Sequence, residues 1–175
     1  MKPPKYYSER VPLLDRLKQP GQEDEQLMTV LERGTLEWTP GVADKLLHHV
    51  YDVMETKLKY TTQRFQRDLD YANGEEAAVV SAIVNARHRF ELIYRLCRLA
   101  VFPDEVKQAL LDTVKRYVED TQNALLDSAR HDRTGRLAYT IRNNSLVPKP
   151  SHAPEPPRRR VPDSAPDKPK RRVLF

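Results

Sequence analysis

Apolar residues recur at intervals of three and four along three stretches of the chain, and this spacing predicts three long helices. In the first, Val42, Leu46, Val50, Met54, Leu58, Thr61, Phe65 and Leu69 follow one another with no breaker before Asn73-Gly74. Thr39 suits the cap position ahead of it, and Pro40 suits the first helical turn, where a missing N–H costs nothing. Such a helix reaches roughly 45–50 Å, a length that points to a hairpin arm or coiled-coil packing. The second helix spans 75–101. Its apolar face is broad, with Val79, Val80, Ile83, Val84, Phe90, Ile93, Leu96, Cys97 and Ala100, so it is expected at the centre, covered on two sides. Phe102-Pro103 interrupts it. A third helix starts at Pro103, Asp104 and Glu105 and continues through Val106, Leu110, Val114, Tyr117, Thr121, Leu125 and Ser128 to about His131, with Gly135 placed to stop it.

A shorter helix is expected over 22–33, with Leu27, Val30 and Leu31 as its apolar face and Gly34 as its stop. The pattern offers a single strand candidate, residues 137–141, which an extended docked peptide would satisfy equally. The fold class expected is therefore all-α: an up-down-up helical bundle of three long helices plus a short N-terminal helix, followed by a disordered basic Pro-rich tail. The divisions are an extended N-terminal arm over 1–21, with a short apolar turn at Leu13, Leu14 and Leu17, the helical bundle over 22–135, and the tail over 136–175. From Pro148 onward there are eight prolines in 28 residues, a composition that buries too little apolar surface to offset its ordering entropy.

Charge sharpens this division. The net charge is +5, but residues 130–175 hold 12 Lys and Arg against 4 Asp and Glu, leaving the first 129 residues at −3. A basic segment on a near-neutral domain suits phosphates, acidic proteins or a transport receptor. The lone cysteine, Cys97, excludes an intrachain disulfide. No stretch has the apolar length of a membrane span, and the opening residues lack the apolar core of a secretion signal. An intracellular protein is expected, nuclear if its source has a nucleus and otherwise cytoplasmic.

Chemistry is sparse. There is no phosphate-cradling Gly-rich loop, paired-cysteine zinc signature or nucleophile elbow, so no enzyme and no cofactor is expected. Asp44, His48 and Asp52 line one helix face with Glu55 nearby, but a solvated polar stripe accounts for them, and no metal site is assigned. Cys97 reads as a core thiol. Arg87, Arg95 and Arg98 share a face of the second long helix, where they could meet nucleic-acid phosphates; Glu91, four residues from both Arg87 and Arg95, instead suggests a salt-bridged face.

The tail carries the clearest signals. Arg158, Arg159 and Arg160, then Lys168, Lys170, Arg171 and Arg172, form two basic clusters. Arg158-Arg159, ten residues, then Lys170-Arg171-Arg172 resembles a bipartite nuclear-import signal, and 166–173 resembles the one-part version. The same cations would serve as a phosphate-binding arm. Arg172, Val173, Leu174 and Phe175 resemble the R-x-L-F docking peptide of cyclin partners, and also the Leu-Phe ends of peptides that bind bacterial sliding clamps. Three apolar residues on a polar tail gain nothing in water, whereas a pocket could take roughly 1.5–3 kcal/mol from each large one. Two readings follow. One is a homo-oligomeric helical protein that binds DNA or RNA through its tail, an outline shared with small phage packaging and viral RNA-binding proteins. The other is an adaptor, viral in one version, that docks a partner through Arg172, Leu174 and Phe175. Neither involves a membrane.

Overall fold

The computed structural model describes residues 2–19, 21, 23–36, 39–129 and 135–148. They form six helices and no strand: α1 (Tyr7–Lys18), α2 (Asp24–Glu32), α3 (Pro40–Ala72), α4 (Glu76–Cys97), α5 (Asp104–Ala129) and α6 (Arg136–Asn143). Residues 149–175, where a disordered tail is expected, lie outside the described residues.

The expected long α3 is present at 33 residues. Thr39 occupies the cap position through its backbone, its carbonyl accepting from the N–H groups of Val42 and Ala43, while its hydroxyl makes no capping bond. At the other end Asn73 and Gly74 both take positive φ, 45° and 79°. That left-handed pair turns the chain back, so that α4 runs along α3 and the two make the most extensive pairing of the fold. Leu46, Val50, Met54, Leu58, Thr61 and Phe65 are buried along α3, as their spacing implies.

Helix α4 is central. It packs against α2, α3, α5 and α6 and buries Val79, Ala82, Ile83, Ala86, Phe90, Ile93, Leu96 and Cys97. Not all of the expected apolar face is covered, since Val84 faces solvent, as does Ala100 beyond the end of the helix. It ends at Cys97 rather than near Val101, because Leu99, Val101 and Phe102 bury themselves in the turn ahead of α5. Helices α3 and α5 both lean on α4 but do not pack backbone to backbone along their length.

Three expectations are corrected. Within the supposed extended arm of 1–21, residues 7–18 are helical. Leu14 and Leu17 are fully buried where α1 packs on α3, and the Glu9 carboxylate accepts from the N–H groups of Lys5 and Tyr6 at the helix start. Burial of two leucines outweighs the one backbone bond lost at Pro12 inside the helix. The strand candidate at 137–141 is instead part of α6. Finally, the packed part of the chain runs beyond residue 135: Ile141 and Leu146 are buried and Gln122 Oε1 accepts from the Leu146 N–H at 3.0 Å.

Candidate functional site

The three arginines expected on one face of α4 do separate things. Arg95 reaches α2, donating from Nε and Nη2 to the two carboxylate oxygens of Glu32 at 2.8 and 3.0 Å, and from Nη1 to Glu25. Glu32 first, and Glu25 with it, hold its charge more firmly than usual. Arg87 is half-buried and donates from Nε to the Ser145 carbonyl at 2.7 Å, tying α4 to the segment after α6. Arg98 stays exposed, its guanidinium 5.9 Å from the Tyr94 ring centroid. Glu91 pairs with neither Arg87 nor Arg95; its carboxylate lies 3.9 Å from the His88 ring Nδ1. The salt-bridged reading of this face thus holds for Arg95 with different partners, contributed by α2. A glutamate on a separate helix leaves no trace in the local spacing.

Sequence reasoning also missed the polar seam beside it. Lys57 of α3, only 5 % exposed along its side chain, donates to Asp24 of α2. The second Asp24 oxygen is buried without a partner among the described residues. Arg89 of α4 donates to Asp68 of α3 at 3.2 Å. Asp24, Lys57 and Arg89 line a cavity of about 190 Å³ together with Tyr60 and His88. A buried ammonium bound to a carboxylate fixes α2 against α3, and the arrangement acts as a structural lock between helices.

The polar stripe of α3 is likewise engaged. Asp52 accepts from Lys18 of α1 and Glu55 from Lys59, while Asp44 and His48 are exposed. The described residues contain no group of three or more His, Cys, Asp or Glu able to hold a metal ion. Cys97 is fully buried 3.9 Å from the Met54 sulfur, and burial pushes its thiol up to about 12.

What remains is the charge left over and the surface left open. Residues 149–175 hold eight Lys and Arg against three Asp and Glu, so they account for the whole net charge of +5 and residues 1–148 sum to zero. Arg158, Arg159, Arg160, Lys168, Lys170, Arg171, Arg172, Leu174 and Phe175 all lie outside the described residues. The open surface is a groove between α3 and α5, bridged at one point where the Thr62 and Tyr117 hydroxyls meet at 3.2 Å. One cavity, of about 410 Å³, lies over Phe65 and Leu125. A tighter one, of about 180 Å³, continues from it between Leu69, Val79, Leu137 and Ile141. No helix among the described residues is long and apolar enough to cross a membrane. Comparison with protein-family models, curated proteins and solved structures finds no match for this chain.

Proposed function

We propose that this is a non-enzymatic protein in which an electrically neutral helical body carries a cationic arm for nucleic-acid phosphates. The observation that carries the reading is the segregation of charge. Every net positive charge falls in 149–175, while Arg87 and Arg95 in the body are spent on holding helices together. The phosphate contacts are therefore assigned to Arg158, Arg159, Arg160, Lys168, Lys170, Arg171 and Arg172. Of the three arginines, Arg98, just past the end of α4, is the one left facing solvent with no ion pair among the described residues. A cationic arm reads phosphate spacing rather than base identity, so DNA and RNA both qualify. Self-association, where it occurs, multiplies the arms and raises avidity.

The test is the salt dependence of binding to a duplex. Engagement of five to eight phosphates gives a log–log slope of roughly −4 to −7. Deleting 149–175 flattens that slope without changing the helical circular dichroism. A full chain with no salt-sensitive affinity for DNA or RNA at low ionic strength refutes the reading.

One observation favours a second reading, an adaptor: Val173, Leu174 and Phe175 are apolar in an otherwise polar tail. Leu174→Ala with Phe175→Ala keeps every charge, so an adaptor loses its partner while the salt slope stays as it was.

A further inference from the structure

We infer that the groove between α3 and α5 is a docking site for the chain's own Lys170–Phe175 segment, Lys-Arg-Arg-Val-Leu-Phe, bound in cis. The inference does not rest on the nucleic-acid reading and needs no ligand outside the chain; docking and phosphate binding would compete for Lys170, Arg171 and Arg172.

The groove and the segment match in chemistry. Apolar side chains of Phe65, Leu69, Leu125, Leu137 and Ile141 form the floor of the two joined cavities. Among the described residues, the charged ones that line them are Asp120 and Asp70, both exposed. Asp70 accepts a hydrogen bond from Gln66 at 3.0 Å, and neither carboxylate is in an ion pair among the described residues. No cation among the described residues lines either cavity. The segment presents the complement, three consecutive cations and then three apolar residues. Leu174 and Phe175 fit the apolar floor, and Lys170, Arg171 and Arg172 meet the Asp120 and Asp70 rim.

Geometry favours the chain's own copy of the segment. The described chain ends against α5, the helix that forms one wall of the groove: Gln122 Oε1 accepts from the Leu146 N–H, about 100° round α5 from groove-lining Thr121. From Pro148, the 21 intervening residues to Lys170 span at most about 80 Å when extended. That exceeds the roughly 50 Å length of α3, the longest helix present. A tether of this length holds its end at an effective concentration on the order of millimolar, so even weak docking is populated without a second molecule. Docking would occupy the second basic cluster and leave Arg158, Arg159 and Arg160 free.

The test uses the full chain with a nitroxide on Pro169→Cys; buried Cys97 does not take the label. The expected result is loss of methyl resonance intensity at Leu69, Leu125, Leu137 and Ile141, with the methyls of Leu14, Leu17 and Leu27, which line neither cavity, unaffected. Leu174→Ala with Phe175→Ala restores the lost intensity, and Asp70→Asn with Asp120→Asn restores part of it. Equal mixing of labelled chain with isotope-enriched unlabelled chain separates the sources. Intensity loss on the enriched chain means a second copy's segment fills the groove and overturns docking in cis. Absence of any localised loss, or loss that survives Leu174→Ala with Phe175→Ala, overturns the inference altogether.

Discussion

At Gly34 the α2 helix stops, and two other parts of the chain converge on it. A Cβ there would lie 2.6 Å from the Pro4 carbonyl oxygen and 2.7 Å from Arg10 Nη2. Gly34→Ala should therefore cost about 1–3 kcal/mol, read as a lower urea midpoint. Arg10 itself is 1 % exposed, with Nε and Nη2 lacking partners among the described residues, and burial weakens its hold on the proton. Because an unsatisfied buried donor is costly, Arg10→Met should raise stability by about 1–3 kcal/mol; a fall would show that the guanidinium has a partner. Cys97 gives a pH signature. Its thiol titrates at about 12 folded against an ordinary 9.0, because burial disfavours the thiolate. Between those values the folded chain keeps a proton that the unfolded chain has lost. Stability is thus level below pH 9 and falls above it, by at most about 1.4 kcal/mol per pH unit. Tyr94, raised mainly by burial, adds in the same direction. Urea midpoints from pH 8 to 11 should decline less steeply in Cys97→Val. The sequence pattern puts Cys97 on the apolar face of its helix, but nothing in it brings Pro4 and Arg10 to Gly34. Those contacts join positions 24 to 30 residues apart, and no periodicity reports them.

Among the elements, legibility follows length. Helix α3 offers eight correctly spaced apolar positions and two unambiguous ends, so pattern alone places it. Helix α6 has eight residues, Arg-Leu-Ala-Tyr-Thr-Ile-Arg-Asn. Two turns cannot separate a period of 3.6 from one of 2, and Tyr, Thr and Ile lean toward strand. Tertiary burial of Thr140 and Ile141 against α4 and α5 decides the matter. In α1 the internal Pro12 hides a helix whose stability comes from Leu14 and Leu17 rather than from propensity. These elements make the placement of the domain end testable. A chain ending at residue 135 forfeits the burial of Ile141 and Leu146, about 1.5–3 kcal/mol each, and the Arg87 bond to Ser145. It should melt well below the full chain, whereas one ending at 148 should keep nearly all of its stability. Between elements, Arg95→Lys keeps the charge but not the fork that meets Glu32. Its side chain is 28 % exposed, so the cost should be near 1 kcal/mol, with affinity for nucleic acid unchanged.

For the whole molecule, the sequence shows how much apolar surface α4 has but not what covers it. That breadth, with the length of α3, suggests a second copy as the cover. In the fold α2, α3, α5 and α6 of the same chain supply that cover, and α1 closes on α3. The large apolar residues still exposed among the described ones are Tyr6, Tyr51, Tyr60, Tyr71, Val84 and Tyr139. Five of the six are tyrosines, which keep a hydroxyl in water at small cost. They are also dispersed: Tyr51 and Tyr60, nine residues apart, fall on opposite sides of α3. Stable homodimers bury about 1,200–2,000 Å² through a contiguous patch, and scattered tyrosines do not assemble one. The groove between α3 and α5 is the exception in kind, concave and apolar, and the chain's own segment is assigned to it. The full chain should therefore scatter light as one copy at micromolar concentration, with a melting temperature independent of concentration. Leu174→Ala with Phe175→Ala leaves the groove empty, and if any variant self-associates it should be this one. A dimer mass for the unmodified chain would show that a surface other than the face of α4 drives assembly. A dimer that disappears in the double alanine variant would identify exchanged segments as its cause.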